Sequence, residues 1–507
     1  MKQRVFLFCA SLLWSLLGTA APHDTLRVAV NGLPASLGNP FKGNGRPGTL
    51  VWTAIFDGLT RLDESGRLVP SLAESWRLTE PTRWEFRLRP GVRFANGRPF
   101  DAPAAAQVLQ WLASKPGRAT IIGNELRGIS EVRAIAPLIL QIRTTQPDPI
   151  LPKRMVGAFM VEPDLWAKLG PDGFALQPIG TGPYRLTSWD AKARRAYAEI
   201  NPYRWREAHI TKLVFLELPE GAVRTQALLS GDVDLALIEI EALERLRDRA
   251  FPIVAAPSMS VMSLALISER GNLPGTRLPL QDVRVRRALN HAIDHETIAR
   301  VLLQGYGRPA SQPAPAIAFG HDPTLAPYPY DPVRARALLA EAGYPDGFHI
   351  TADVQINAFP ADSLIYQSMA HYLRQVGVDV TLRLITFPQY LRNLQRNEFT
   401  GDAFGTAWNS APYNDVTRPM EMFSCNRPKP FFCDRALSQH LRDASSIIDE
   451  PQRLAAMHRL AREYHDAAPA IFLVEQVDLY AHRPGLTNVK LHNRVPVYDL
   501  IQPGDPP

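Results

Sequence analysis

The chain has 507 residues, 46% of them hydrophobic and 21% charged, and a net charge of +6. That length exceeds one ordinary domain, and the balance excludes a disordered or membrane-embedded chain. Basic residues alternate with acids, as in RLDESGRLVPSLAESWRLTEP, so a mixed solvated surface is expected and a nucleic-acid-binding stripe is not.

Met1 to Ala21 has the physics of a secretory signal. Lys2 and Arg4 form the charged start, Val5 to Leu17 the apolar stretch, and GTAA the small-residue cleavage region. The apolar run is too short to span a membrane, so a soluble exported chain starting at Ala21 or Pro22 is expected. Thr25 to Asn31 reads as the first strand, with Leu26, Val28 and Val30 on one face. After a Gly- and Pro-rich loop, TLVWTAIFDGLTRL reads as a helix ending near Gly58. WEFRLRP alternates as a strand, Asp101 is placed to cap the helix APAAAQVLQWLA, and VRAIA and LILQIRT are further strands. IGTGPYRLTSW is a turn entering a strand, and AVRTQALLSGDVDLALI a helix, a turn and a buried strand.

The stretch from Asp282 to Phe348 predicts two helices joined by a proline-rich crossing. Asp282 caps the first, whose apolar positions run from Val285 to Leu302 at helical spacing. Asp331-Pro332 opens the second and Gly343 closes it, while Pro309, Pro313 and Pro315 keep the crossing out of helix. A helix over 362–376, a strand VDVTLRLI, a helix around 452–465 and two strand-like runs, AIFLV and VDLYAH, follow. Strands interleaved with helices predict an α/β architecture.

Catalytic patterns are missing. The sequence contains no HExxH, no GxSxG and no phosphate loop ending in Gly-Lys-Ser/Thr. Gly43, Gly45 and Gly48 form a GxGxxG, but it lies well beyond the first strand and Pro47 interrupts it, which favours a plain loop. His291 and His295 share a helical face at metal-ligand spacing, although a polar helix border gives the same pattern. Asp232 and Asp234 read as a turn rather than a paired-carboxylate site, and Gly180 to Tyr184 as a structural turn. Cys425 and Cys433 remain once Cys9 is removed with the signal. An oxidising compartment favours a disulfide closing CNRPKPFFC; a metal pair is the rival, in a loop without histidine.

Taken together, SLAESW (71–76), FANGRPFDAPAAAQVL (94–109), IGTGPYRL (179–186), SGDVDLAL (230–237) and the pair VRVRRALNHAIDHETI and YDPVRARALLAEAGYPDGF resemble the family 5 extracytoplasmic solute-binding proteins of peptide, nickel and opine ABC importers. The resemblance implies a two-lobed α/β clamp of the periplasmic-binding-protein type, with an extra insert in the first lobe. Lobe I would comprise 22–53, 179–268 and 476–507, the insert 54–178, and lobe II 269–475. Hinge crossings would lie near LALISER and VEQVD. The implied role is a periplasmic subunit, monomeric and without cofactor, that closes around a solute and delivers it to a permease and ATPase.

The peptide branch of the family places an aspartate three residues after a lobe II tryptophan, where this chain has Ala411 after Trp408. The run from Trp408 to Asp415 instead resembles the Trp-Gly-Ala-Pro-Tyr segment of the nickel branch. That branch implies Arg118 or Arg154 as a contact for a chelator's carboxylates, with a surface arginine the alternative for each. Trp408 and Tyr413 would pack on the ligand or in the core, and Asp415 would stand in for the peptide-branch anchor. No histidine occurs between Gly401 and Gln439, so direct metal ligation is not implied. The expected solute is a metal chelate or opine-like carboxylate, then a short peptide. A secreted hydrolase is the rival from another class.

Overall fold

The computed structural model describes residues 24–43, 45–269, 278–356, 358–427 and 429–504. The expected export signal, Met1 to Ala21, lies outside them. Among the described residues, no helix is long and apolar enough to cross a membrane.

One sheet of eleven described strands runs through the molecule. In one half, Thr25–Val30 lies parallel to both Lys212–Glu217 and Leu235–Ile238, with Leu26, Val28 and Val30 buried. In the other half, Phe348–Val354 lies parallel to Val378–Leu384 and Ala403–Asn409. Two long antiparallel strands, Ile253–Leu266 and Ala470–His482, join the halves. Their register shifts between Pro257 and Val261, where Ser258 to Ser260 bulge past Gln476. Before the shift Ala470–His482 is shared with Leu235–Ile238; after it Ile253–Leu266 is shared with Ala403–Asn409. The result is a two-lobed α/β clamp whose lobes meet at two strands.

A separate antiparallel sheet of four strands, in the order Ala73–Glu80, Arg83–Leu88, Ile139–Thr144, Ile129–Ala136, packs beside the first lobe against the helix Ala102–Ala113. Trp84, Phe86 and Leu88 alternate inward from it. This sheet shares one apolar core with Thr25–Val30 and its neighbours. A second core continues behind the joining strands from one lobe to the other, and a third fills the far lobe around Trp408.

Helix starts follow the sequence closely. The carboxylates of Asp101, Asp282 and Asp331 accept the amides of Ala104 (2.9 Å), Arg284 (2.9 Å) and Arg334 (2.8 Å). Three elements differ from expectation. The apolar run 283–302 breaks after the helix Val283–His291, because Asp294 takes the Thr297 amide (2.9 Å) and starts a new turn there. The run beginning TLVWTAI stops as helix at Ile55, and Thr60–Leu62 turns into a strand paired with Leu68–Pro70. AIFLV and VDLYAH form one strand, because Glu475 and Gln476 continue the ladder through the register shift.

Gly180 and Gly182 serve the close approach of their turn to a helix end. A Cβ on Gly180 would lie 2.2 Å from the Ile55 carbonyl oxygen, while the Gly182 amide donates to that same carbonyl at 2.9 Å. Cys425 and Cys433 are disulfide-bonded. His291 and His295 diverge, their Nδ1 atoms lying near the carbonyls of Pro329 and Leu473 respectively, so the pair does not converge on one point.

Candidate functional site

The turn built on Gly180 and Gly182 holds a buried polar cluster in the first lobe. Thr181 Oγ1 donates to Asp57 Oδ2 at 2.9 Å, and Trp205 Nε1 donates to the same oxygen at 3.0 Å. Asp57 Oδ1 accepts from Arg206 Nη1 at 2.7 Å, and Arg206 Nε lies 3.1 Å from Asp499 Oδ2. Burial works against the Arg206 charge, and the two carboxylates outweigh it and raise its pKa.

Asp57, Arg206 and Asp499 of this cluster wall a cavity of about 120 Å³. Arg61, His492 and Asn493 also line it, and Pro412 reaches it from the other lobe. The C-terminal segment carrying His492 and Asn493 is fixed to a joining strand by Arg494, which donates to both oxygens of buried Asp478. The cavity wall is therefore tied directly to the strand pair at which the lobes meet.

Beside the cavity, the loop 409–418 of the far lobe docks on the side that carries the four-stranded sheet. Tyr413 Oη donates to Glu125 Oε2, and Arg418 Nε and Nη2 approach Glu125 Oε1 at 3.3 and 3.2 Å. Asn414 Nδ2 donates to the Gly66 carbonyl at 3.0 Å and to that of Ile317 at 2.7 Å. Asp415 is fully buried; it accepts from both Nη atoms of Arg453 (2.9 and 2.8 Å) and from Lys153 Nζ across the interface (3.3 Å). Burial would raise the Asp415 carboxyl, but the Arg453 and Lys153 charges hold it well below the ordinary carboxylate range.

Of the residues singled out from sequence, Tyr413, Asp415 and Arg154 meet at this contact. Arg154 donates to Asp148 Oδ2 at 2.9 Å and to the Glu125 carbonyl at 3.2 Å, with its guanidinium over the Tyr413 ring. Trp408 lies behind the contact with no exposed surface, stacked on Phe423 at 3.9 Å and edge-on to Phe472. Arg118 stands apart on the short helix Lys115–Arg118, exposed, donating to the Ile129 carbonyl at 3.2 Å. None of these five lines the cavity. Arg61, Arg206, Asp57 and Asp499 escaped the sequence reading because each sits in an ordinary-looking charged stretch. The one available signal was the GTG turn, whose threonine leads to Asp57.

A family model described as bacterial extracellular solute-binding proteins, family 5 middle, matches residues 67–430. The glutathione-binding protein GsiB of Salmonella paratyphi A is 26% identical over 466 residues, covering 89% of this chain and 88% of that protein. Among solved structures, the periplasmic binding protein DppA from Helicobacter pylori in complex with the peptide STSA aligns with a TM-score of 0.79 at 21% identity, covering 95% of this chain and 98% of that one. NikZ from Campylobacter jejuni in complex with Ni(L-His) aligns with a TM-score of 0.78 at 21% identity, covering 94% and 98%.

Proposed function

Because the chain belongs to the bacterial extracellular solute-binding proteins of family 5, we propose that it is the periplasmic capture subunit of an ABC importer. It binds a small carboxylate-bearing solute between its lobes and presents the closed form to a permease. The observation that carries this reading is the cavity between the lobes, lined by Pro412 of one lobe and by Arg61 and Asp57 of the other. Beside it, Glu125 and Lys153 hold the opposing loop closed. Such a geometry makes and breaks no bond. It sequesters a ligand, and the ligand's contacts to both sides favour the closed state. Binding, not hydrolysis, is the proposed activity.

In the division we propose, 54–178 remains an insert of the first lobe, and the crossings fall at the register shift, near Pro257 to Val261 and Glu475 to Val477. At the contact, Tyr413 and Asp415 position the closing loop, Arg154 supports Glu125, and Trp408 backs the loop from the core. Arg118, exposed and away from the cavity, has no proposed part in holding solute.

Two solute readings have support. A metal chelate or opine-like carboxylate follows from the resemblance of the Trp408–Asp415 run and from the likeness to a protein solved with Ni(L-His). A short peptide, including a glutathione-like one, is favoured by the 26% identity to a glutathione-binding protein along most of the chain. All three comparison ligands share a carboxylate. Native mass spectrometry of protein taken from the periplasm, with a thermal-shift panel of glutathione, the dipeptide Met-Leu and nickel with L-histidine, tests the reading. A bound small molecule, or a rise of several degrees in Tm at saturating probe, is expected. A chain that carries no small molecule and shifts with no probe sinks it.

A further inference from the structure

Arg61 sits in the middle of the strand Thr60–Leu62, whose flanking residues Thr60 and Leu62 are buried. Its side chain lines the cavity together with those of both neighbours. Its Nε atom is shielded from solvent and has no hydrogen-bond partner. Among the described residues, no carboxylate forms an ion pair with Arg61. The two nearby acids, Asp57 and Asp499, are both engaged by Arg206. An arginine does not shed its proton to escape such a place, and a half-buried guanidinium whose shielded Nε–H has no acceptor is poorly stabilised.

Burial and then the Arg206 charge both disfavour the Arg61 cation, while Asp499 and Asp57 attract it only from a distance. His492, also on the lining, has its pKa lowered first by burial and then by Arg61, which favours its neutral form, so it adds no second positive charge. Asn493 Oδ1, a further lining atom, is buried without a donor. The cavity therefore offers a cationic fork that lacks an anion and an amide oxygen that lacks an N–H.

We infer that Arg61 is the residue that anchors the solute's carboxylate, with Asn493 receiving an N–H next to it, so that the cavity selects the end of an amino-acid-like or peptide-like molecule. The inference rests on the solute-binding reading and deepens it. At about 120 Å³ the cavity is well above the ~10–15 Å³ that a single water needs, so it has room for a ligand group such as a carboxylate. Arginine fits the task because its planar fork matches a carboxylate with two parallel bonds, which a lysine cannot do.

The test uses the full chain, stripped of copurifying solute by unfolding and refolding, as wild type and as Arg61→Gln and Arg61→Lys. Probes are glutathione against glutathione diethyl ester, and Met-Leu against Met-Leu amide. Wild-type protein is expected to bind a free acid at least tenfold more tightly than its ester or amide. Arg61→Gln should lose that preference, and Arg61→Lys should recover only part of it. Without ligand, the Tm of Arg61→Gln should equal or exceed that of wild type, since a half-buried cation without an ion-pair partner has been removed; a structural role predicts a fall of several degrees. Equal binding of acid and neutral probes by wild type, undiminished free-acid binding by Arg61→Gln, or a copurifying solute with no anionic group each overturns the inference while leaving solute capture intact. A chain that takes up nothing overturns both.

Discussion

Asp415 decides more at the scale of single residues than its place in a loop suggests. Its two oxygens take Arg453 from its own lobe and Lys153 from the other, with no solvent to share the charge. Asp415→Ala leaves two buried cations facing each other and should cost about 3–5 kcal/mol, measurable as a lower urea midpoint. The sign with pH follows from the depressed folded pKa. The contribution is full above the ordinary carboxylate range and is lost below about pH 5 as acid titrates the unfolded chain. His295 acts over a neighbouring window by a different route. Burial pushes its pKa down to about 4 from 6.5, so protonation favours the unfolded chain, and stability present above 6.5 declines as pH falls towards 4. That difference is worth about 3 kcal/mol at most, and His295→Gln should flatten the loss when urea midpoints at pH 7 and pH 4.5 are compared. Neither role was legible in sequence. The caps at Asp101, Asp282 and Asp331 were, because each carboxylate and the amide it accepts lie within three residues. Asp415 meets partners 38 and 262 positions away, and no local spacing announces them.

Among the elements, the loop 425–433 shows what a sequence pattern does and does not determine. An even cysteine count in a chain expected to be exported pointed to its closure, and the two are bonded. Inside the loop Phe431 and Phe432 are buried, with Phe431 against Phe399, Phe404 and Phe423. Opening so short a loop removes about 2.5 kcal/mol in the chain-entropy model. Cys433→Ala, or wild type in reductant, should unfold at correspondingly lower urea while keeping the far-lobe aromatic core. An unchanged midpoint under full reduction would contradict this. The joining strands illustrate the opposite case. Ala470–His482 looked like two strands because Glu475 and Gln476 interrupt its apolar alternation. Those polar residues lie where the ladder changes register and the chain passes from one lobe to the other. A position that serves two lobes obeys neither lobe's pattern, so the alternation fails at the register shift, where the hinge is proposed.

For the molecule as a whole, closure in the proposed function is a competition between the solute, which would bridge the lobes, and whatever the lobes bond directly. Glu125 gathers Tyr413 and Arg418 from the opposing loop, and Lys153 reaches Asp415. These bonds span the two lobes, so an open form lacks them. Charged hydrogen bonds that are mostly shielded contribute roughly 1–3 kcal/mol, comparable to the few kcal/mol that separate open and closed forms of such proteins. Lys153→Ala would also strip a buried carboxylate of one partner and confuse closure with stability, so Glu125→Gln is the cleaner probe. It keeps the shape and a weaker acceptor but removes the charge facing Arg418. If the contact holds the closed form, Glu125→Gln should raise the closed-to-open ratio's dependence on ligand: a larger radius of gyration by small-angle scattering without solute, and the wild-type value with it. Affinity should fall about three- to thirtyfold, because the apparent dissociation constant scales inversely with the fraction of competent molecules, and dissociation should speed up more than association slows. The Arg61 site would be untouched, so the preference for a free acid over its amide should survive in Glu125→Gln. An identical radius of gyration and affinity in the variant would mean that these bonds follow closure instead of favouring it, and that the joining strands alone set the balance.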